Sequence, residues 1–354
     1  MALTAVLATA AVLSACDQGK QHDQKTLGPA VHVVDANVGP TKALPADGSI
    51  QLALDRLLLP VTAVRQSFIL ADANNNALQP IVTYDPVRMV VTLSDPDGTN
   101  GQWLMPGQPY KVVMPVPPKA GDTEFGLRAI DGATLERAQQ IGFLVTSPLG
   151  AGHAQKESFC GDVLPIFQAR CNSGECHGAP SPTTSERFPD GLTKPAAGLV
   201  LDNSVGVAET AIGRVAQGSN TSAIAGNPSA PSSKFGISMP IVDPGNPANS
   251  WLMYKLLLAT PQIDETASLN ARDCEGALVP FTVQPSLNVT TSTPSDAERG
   301  RLSDLVLGSQ MPYPPEPGVD NQLSNLTTEE LERVRVWIAQ GASVDDCSTC
   351  IPAK

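Results

Sequence analysis

Two cysteines and a histidine lie close together in the middle of the chain, at Cys171, Cys176 and His177. Two thiols at a short fixed spacing can add to the vinyl groups of a haem, and a histidine directly after the second thiol can reach the iron. The usual arrangement has two residues between the cysteines, whereas this sequence has four. The segment therefore predicts covalent attachment of one haem through a lengthened motif. A structural disulfide between Cys171 and Cys176, with His177 an ordinary surface residue, is the alternative.

A haem iron that carries electrons normally takes a second axial ligand from a methionine or a histidine. Two methionines precede a proline, in Met239-Pro240 and in Met311-Pro312. Ligation by histidine and methionine fills both axial positions and raises the reduction potential. Such a centre favours electron transfer over oxygen or peroxide chemistry. Both methionines are candidates on these grounds.

Residues 158 to 344 resemble the class I c-type cytochromes. The likeness is carried by Phe159-Cys160 to Phe167 before the haem motif, by Pro244 to Leu252 before a helix, and by Met311-Pro312 before Leu331 to Ala342. The resemblance implies a mainly α domain over residues 158–354, with long loop insertions, that holds one haem c. It also implies that Cys171 and Cys176 bind the haem covalently, His177 and Met311 are the axial ligands with Met239 as the alternative, and the protein is an electron carrier rather than an enzyme.

Four segments of this part of the sequence have helical patterns. Asp162 to Arg170 places apolar residues on one face behind a capping aspartate, and Asn249 to Leu258 follows a polar cap. Ser295 to Leu307 has Asp296 and Glu298 in its first turn. Thr327 to Glu330 forms a capping box, after which apolar residues recur at helical spacing until Gly341. This last segment has the strongest helical pattern in the chain.

The N-terminal part of the chain alternates apolar and polar residues in several short runs. The alternating runs are Ile50 to Leu54, Val87 to Leu93, Tyr110 to Val116 and Ile141 to Val145, with turn residues between them. Such runs predict an antiparallel β-sandwich. Residues 41–147 resemble bacterial Ig-like domains in Pro45 to Gly48, Tyr84 to Pro86, Leu104 to Tyr110 and Gly142 to Thr146. We interpret this domain as a spacer, with carbohydrate or protein binding as the alternative, and residues 148–157 as a linker.

The first fifteen residues form an apolar run that ends in Leu13-Ser14-Ala15 before Cys16. This run resembles a lipoprotein signal peptide, which implies acylation of Cys16 and an exported protein held on a bacterial membrane, in the periplasm or at the cell surface. Residues 16–40 are polar and without periodicity, and predict a flexible tether. A plain cleaved signal, with Cys16 as an unmodified thiol, is the alternative.

Four further cysteines are candidates for disulfides in an oxidising compartment, namely Cys160, Cys274, Cys347 and Cys350. Four thiols allow three pairings. Cys347 and Cys350 can close on each other or bond separately to Cys160 and Cys274, and we favour the second arrangement. Zinc is a competing use of Cys and His side chains, but Cys347 and Cys350 are the only second pair, and an oxidising compartment favours their oxidation.

The net charge of −12 and the absence of a Lys or Arg cluster argue against nucleic acid as a partner. The sequence has no nucleophile elbow and no phosphate-binding loop. The leading hypothesis is therefore a lipid-anchored single-haem cytochrome that exchanges electrons with redox proteins. The competing hypothesis is a non-redox surface lipoprotein, stabilised by disulfides, with a binding or structural role.

Overall fold

A computed structural model describes residues 27–99, 101–117, 126–150, 157–172, 177–178, 195, 198–216, 235, 238–262, 287–291, 293–306, 310–312, 325–344 and 347. The chain forms a β part followed by a helical part. The predicted signal peptide, Cys16 and the start of the tether lie outside the described residues, as do Cys176, Cys274 and Cys350. No helix among the described residues combines the length and the apolar character needed to span a membrane.

The β part contains two four-stranded sheets. One has the order β1-β3-β6-β5 and the other the order β2-β8-β7-β4, and all neighbours are antiparallel except β2 and β8. Side chains from both sheets share one apolar core. The strands are β1 (Val33–Ala36), β2 (Leu44–Pro45), β3 (Ile50–Leu54), β4 (Ile69–Asp72), β5 (Ile81–Asp85), β6 (Val90–Ser94), β7 (Pro109–Met114) and β8 (Gln139–Thr146).

Three of the predicted alternating runs become β3, β7 and β8, and the fourth is shorter than predicted. Strand β6 begins only at Val90, because Asp85 accepts hydrogen bonds from the backbone amides of Val87 and Arg88 and closes a turn. Val87 and Met89 are buried in the core of the helical part instead. The prediction that these two residues belong to the sandwich strand is therefore wrong.

The predicted tether ends earlier than residue 40. Strand β1 pairs with β3, and the amide of Val31 donates to the carbonyl of Thr134 over 3.0 Å. Val31 and Val38 are buried in the core of the β part, so burial of apolar side chains holds this stretch on the sheet. The tether prediction is thus wrong for these residues.

The helical part contains a π-helical turn (Phe159–Val163) that continues into α1 (Leu164–Arg170). Helices α2 (Ser204–Thr210), α3 (Trp251–Leu257), α4 (Asp296–Ser303) and α5 (Thr328–Ala339) follow, and short 3-10 turns occupy Pro60–Thr62 and Pro247–Asn249. The core of this part includes Phe159, Phe167 and Trp337, whose ring centroids lie 5.5 to 6.5 Å apart. The first and last helices therefore pack through aromatic contacts.

The predicted capping box is confirmed, whereas the caps predicted at Asp162 and at the polar residues before α3 are wrong, because neither forms a side-chain cap bond. The Ser295 side chain accepts from the amide of Glu298, and Thr327 forms the full capping box with Glu330. At the start of α1, however, it is Ser158 rather than Asp162 that accepts from a backbone amide of the first turn. Asp162 instead lies 2.6 Å from the Arg333 guanidinium, because charge pairing satisfies this buried carboxylate.

The β and helical parts share a continuous apolar core. Leu57, Leu59 and Ile130 of the β part are buried in the same cluster as the helical residues. Segment 287–291 also contacts the sheets, since the amides of Asn288 and Thr290 donate to Gln51 and Asp35. The helical part is therefore packed directly onto the β part.

Candidate haem site

Helix α1 ends directly before Cys171, the first residue of the Cys-His motif. The amide of Cys171 donates to the carbonyl of Phe167 at the helix end, and the Cys171 side chain is buried in the helical core. The carbonyl of Cys171 accepts from the amide of His177 over 3.2 Å. The backbone therefore returns to the end of α1, and His177 lies beside the first predicted attachment residue.

His177 is buried, and both its backbone carbonyl and its ring are hydrogen-bonded. Its carbonyl accepts from the amide of Leu201 over 2.7 Å, and its Nδ1 lies 3.3 Å from the carbonyl oxygen of Leu199. In the neutral tautomer with the proton on Nδ1, the ring donates to this carbonyl and keeps a lone pair on Nε2. A backbone acceptor on one ring nitrogen is the usual way in which a protein orients a metal-binding histidine.

The structure brings Met311 to the other ring nitrogen of this histidine. The sulfur atom Sδ of Met311 lies 3.2 Å from Nε2 of His177, although the two residues are 134 positions apart. The Met311 amide donates to the carbonyl of Lys255 in α3 over 3.0 Å. Met239, the alternative distal ligand, is buried in the helical core, and its carbonyl accepts from the amide of Ala216.

The donor set at this point fits a metal centre. With the proton on Nδ1, the Nε2 lone pair faces a thioether sulfur, which also offers only lone pairs. Two facing electron-pair donors are stabilised by an electron-pair acceptor such as an iron ion between them. His177 and Met311 are the residues that would hold such an ion.

A disulfide joins the two ends of the helical part. Cys160, in the π-helical turn before α1, is bonded to Cys347, which follows α5, across a sequence separation of 187 residues. This bond is one half of the pairing favoured from the sequence, and the other half would involve Cys274 and Cys350, outside the described residues. In the chain-entropy model, closing so long a loop stabilises the folded state by about 4 to 5 kcal/mol.

Charged side chains of α5 are buried between the two parts of the molecule. Arg335 lies 3.2 Å from Asp85 and 2.8 Å from Glu332, and Arg88 lies 2.6 Å from Glu332. Burial raises the pKa of Asp85 to about 6, an effect that Glu332 reinforces and Arg335 opposes. The β part thus covers the charged face of α5 and pairs its charges.

A second charged cluster lies where the linker meets the helical part. Arg333 contacts Asp162 and Glu329, each at 2.6 Å, and lies 3.7 Å from Glu157. Burial raises the pKa of Glu157 to about 7, with a further contribution from Asp162. Burial likewise lowers the pKa of Lys255, beside the Met311 segment, to about 8. Nothing local in the sequence marked these residues, because their burial depends on distant segments.

Among the residues that the structure describes, no group of three or more His, Cys, Asp or Glu side chains is arranged to hold a metal ion. Two of the cysteines considered for zinc, Cys176 and Cys350, lie outside those residues. Zinc binding therefore stays untested.

No protein-family model and no curated protein sequence matches this chain. Among solved structures, the N-terminal part of the bacterial S-layer protein SbsC is similar at 16% identity and a TM-score of 0.24, over 36% of this chain and 26% of that one. The native conformation of the E. coli alpha-2-macroglobulin is similar at 11% identity and a TM-score of 0.25, over 38% of this chain and 8% of that one. This chain thus spans about a quarter or less of those structures, and similarity this weak supports no conclusion about function.

Proposed function

We propose that this protein is a lipid-anchored, extracytoplasmic c-type cytochrome with one haem, which carries single electrons between redox proteins. The single observation that supports it most is the approach of Met311 Sδ to His177 Nε2, at 3.2 Å. In this proposal the β part is an Ig-like sandwich and the helical part is a cytochrome c-like domain. Cys16 carries the lipid, which would place the protein in the periplasm or at the cell surface.

The residues of this chain would hold the haem in three ways. Cys171 and Cys176 would bind it covalently, and the Leu199 carbonyl would keep the His177 ring oriented through Nδ1. Met311 would complete the axial pair, and the burial of His177 and Cys171 would keep water from the iron. A bound haem supplies a one-electron couple, and a soft thioether ligand stabilises its reduced form. With both axial positions filled, the site has no open position for a substrate.

The first experiment tests attachment. The protein is produced in a strain that exports it and attaches haem, and a pyridine haemochrome spectrum is recorded for the wild type and for Cys176→Ser. We expect a covalent haem in the wild type and an altered or lost spectrum in the variant. Equal spectra would overturn the attachment claim, and a colourless wild-type protein would favour the non-redox surface lipoprotein.

The second experiment distinguishes the two methionines. Met311→Leu and Met239→Leu are matched, because each replaces a methionine with an apolar side chain of similar volume. We expect Met311→Leu to lower the reduction potential and remove the optical signature of a thioether ligand, while Met239→Leu retains both. The reverse outcome would assign the distal position to Met239.

A further inference from the structure

The segment that carries Met311 is attached to the end of α3. The Met311 amide donates to the carbonyl of Lys255 over 3.0 Å. Lys255 lies in the last turn of α3, where the carbonyls have no partner within the helix. The Met311 segment therefore caps α3 at its C-terminal end, and the position of the thioether depends on this helix.

Asn325 connects the same segment to a second element. Its Oδ1 accepts from Nε2 of Gln310 over 3.2 Å, and its Nδ2 donates to the carbonyl of Thr260 over 3.0 Å. Thr260 follows α3, and Asn325 precedes α5. The segments after α3 and before α5 form one more hydrogen bond, since the amide of Gln262 donates to the carbonyl of Leu326 over 2.9 Å. Three segments that are distant in sequence therefore meet at one amide side chain.

We infer that Asn325 is a positioning residue, which holds the Met311 sulfur opposite His177 through its hydrogen bond to Gln310. This inference rests on the proposed function. A methionine side chain has three rotatable bonds, so fixing it as a ligand costs conformational entropy. Contacts that order the loop around it reduce this cost. Asn325 touches neither donor atom. It holds the side chain of the residue before Met311 and so links the Met311 segment to the residues that precede α5.

The test uses the full-length, haem-loaded protein with Asn325→Ala, Gln310→Ala and the double variant. Each single change removes the same hydrogen bond, so we expect both to lower the reduction potential and to tighten the binding of added imidazole, which competes with the thioether, by roughly fivefold. The double variant should differ little from Asn325→Ala, which already lacks this bond and the bond to Thr260.

Two further variants separate positioning from general stability. Asn325→Asp keeps the acceptor for Gln310 and loses the donor to Thr260, so we expect a nearly wild-type imidazole affinity. Asn76→Ala removes a similar side-chain hydrogen bond, to Asp72 in the β part, and should leave the potential unchanged.

The outcomes distinguish this inference from the function on which it rests. A wild-type protein without covalent haem overturns the proposed function and the inference together. A haem-loaded wild type with an Asn325→Ala variant of unchanged potential and imidazole affinity overturns the inference alone, even if the variant melts at a lower temperature. Independent effects of Asn325→Ala and Gln310→Ala in the double variant would also overturn it.

Discussion

At the scale of single residues, several side chains have properties that depend on burial rather than on residue type. His177 is buried, with Nδ1 beside the Leu199 carbonyl and Nε2 beside the sulfur of Met311. Glu157 is a carboxyl group that burial makes hard to ionise. Both cases follow one rule, since a polar atom removed from water takes the protonation state that its nearest partners allow.

Glu157 gives the stability of the fold a dependence on pH. Its pKa is about 7 in the folded protein against 4.5 for an ordinary glutamate, so the folded state binds the proton more tightly. The protonated group therefore stabilises the fold fully below about pH 4.5, and this stability is lost as the pH rises through about 7. We expect a loss of up to about 3 kcal/mol of unfolding free energy over this range, measured by denaturant titration at several pH values.

The variant Glu157→Gln keeps the shape of the side chain without a titrating proton. Its unfolding free energy should fall less steeply over the same pH range, whereas the exposed Glu136→Gln should follow the wild type. The groups that face Glu157 are Arg333, Asp162 and Glu329, and of these Asp162 also has a raised pKa, chiefly through burial. A wild-type profile for Glu157→Gln would assign the pH dependence to the other groups.

At the scale of elements, α5 links the two parts of the protein. Its apolar face packs on α1 and on the π-helical turn before it through Trp337, Phe167 and Phe159, and its charged face pairs with the β part through Arg335 and Asp85. Its first turn is fixed by the capping box and also contacts α1, since Arg170 lies 2.9 Å from Glu330. The N-terminus of α5 therefore contacts Arg170, the residue directly before Cys171.

Loss of the cap should destabilise the protein measurably. Thr327→Ala leaves the Glu330 amide without its side-chain acceptor, and we expect a loss of about 1 kcal/mol of unfolding free energy. The adjacent Thr328→Ala changes the same residue type at the first position of the helix and should stay within about 0.5 kcal/mol of the wild type. Thermal or denaturant unfolding of the two variants measures the difference. Equal losses would show that the hydroxyl at position 327 contributes no capping energy.

At the scale of the whole molecule, the β part is integral to the fold of the helical part. Arg56 in the β part lies 2.6 Å from Asp131 and 2.5 Å from Glu298 of α4, and all three side chains are buried. Apolar residues of the β part complete the core that contains Phe159 and Trp337. The proposal of a spacer therefore needs refinement, because these contacts would hold the proposed haem site at a fixed position relative to the β part.

The shared core predicts one cooperative unfolding transition. Fluorescence of Trp103 in the β part and of Trp251 and Trp337 in the helical part should report the same midpoint. Arg56→Ala leaves two buried carboxylates with fewer cations beside them. It should lower the unfolding free energy of the single transition by about 3 to 5 kcal/mol. The exposed pair of Lys42 and Asp35 is the control, and Lys42→Ala should cost less than about 1 kcal/mol. Two separate transitions in the wild type would contradict a shared core.

The sequence alone determined the features that depend on residues close together in the chain. The capping box at Thr327 needs only the residues up to Glu330, and the strands β3, β7 and β8 follow from alternation within a few positions. The Cys-His motif likewise lies within one short segment, so its chemistry could be proposed before any fold was known.

Only the tertiary structure decided which distant residues meet. The sequence left Met239 and Met311 open as donors, and the fold brings the sulfur of Met311 to His177. It also joined Cys160 to Cys347 and buried the charges of α5 against Asp85. Local patterns fix backbone hydrogen bonds over a few residues, whereas these contacts require the path of the chain between them, which depends on the burial of the whole apolar core.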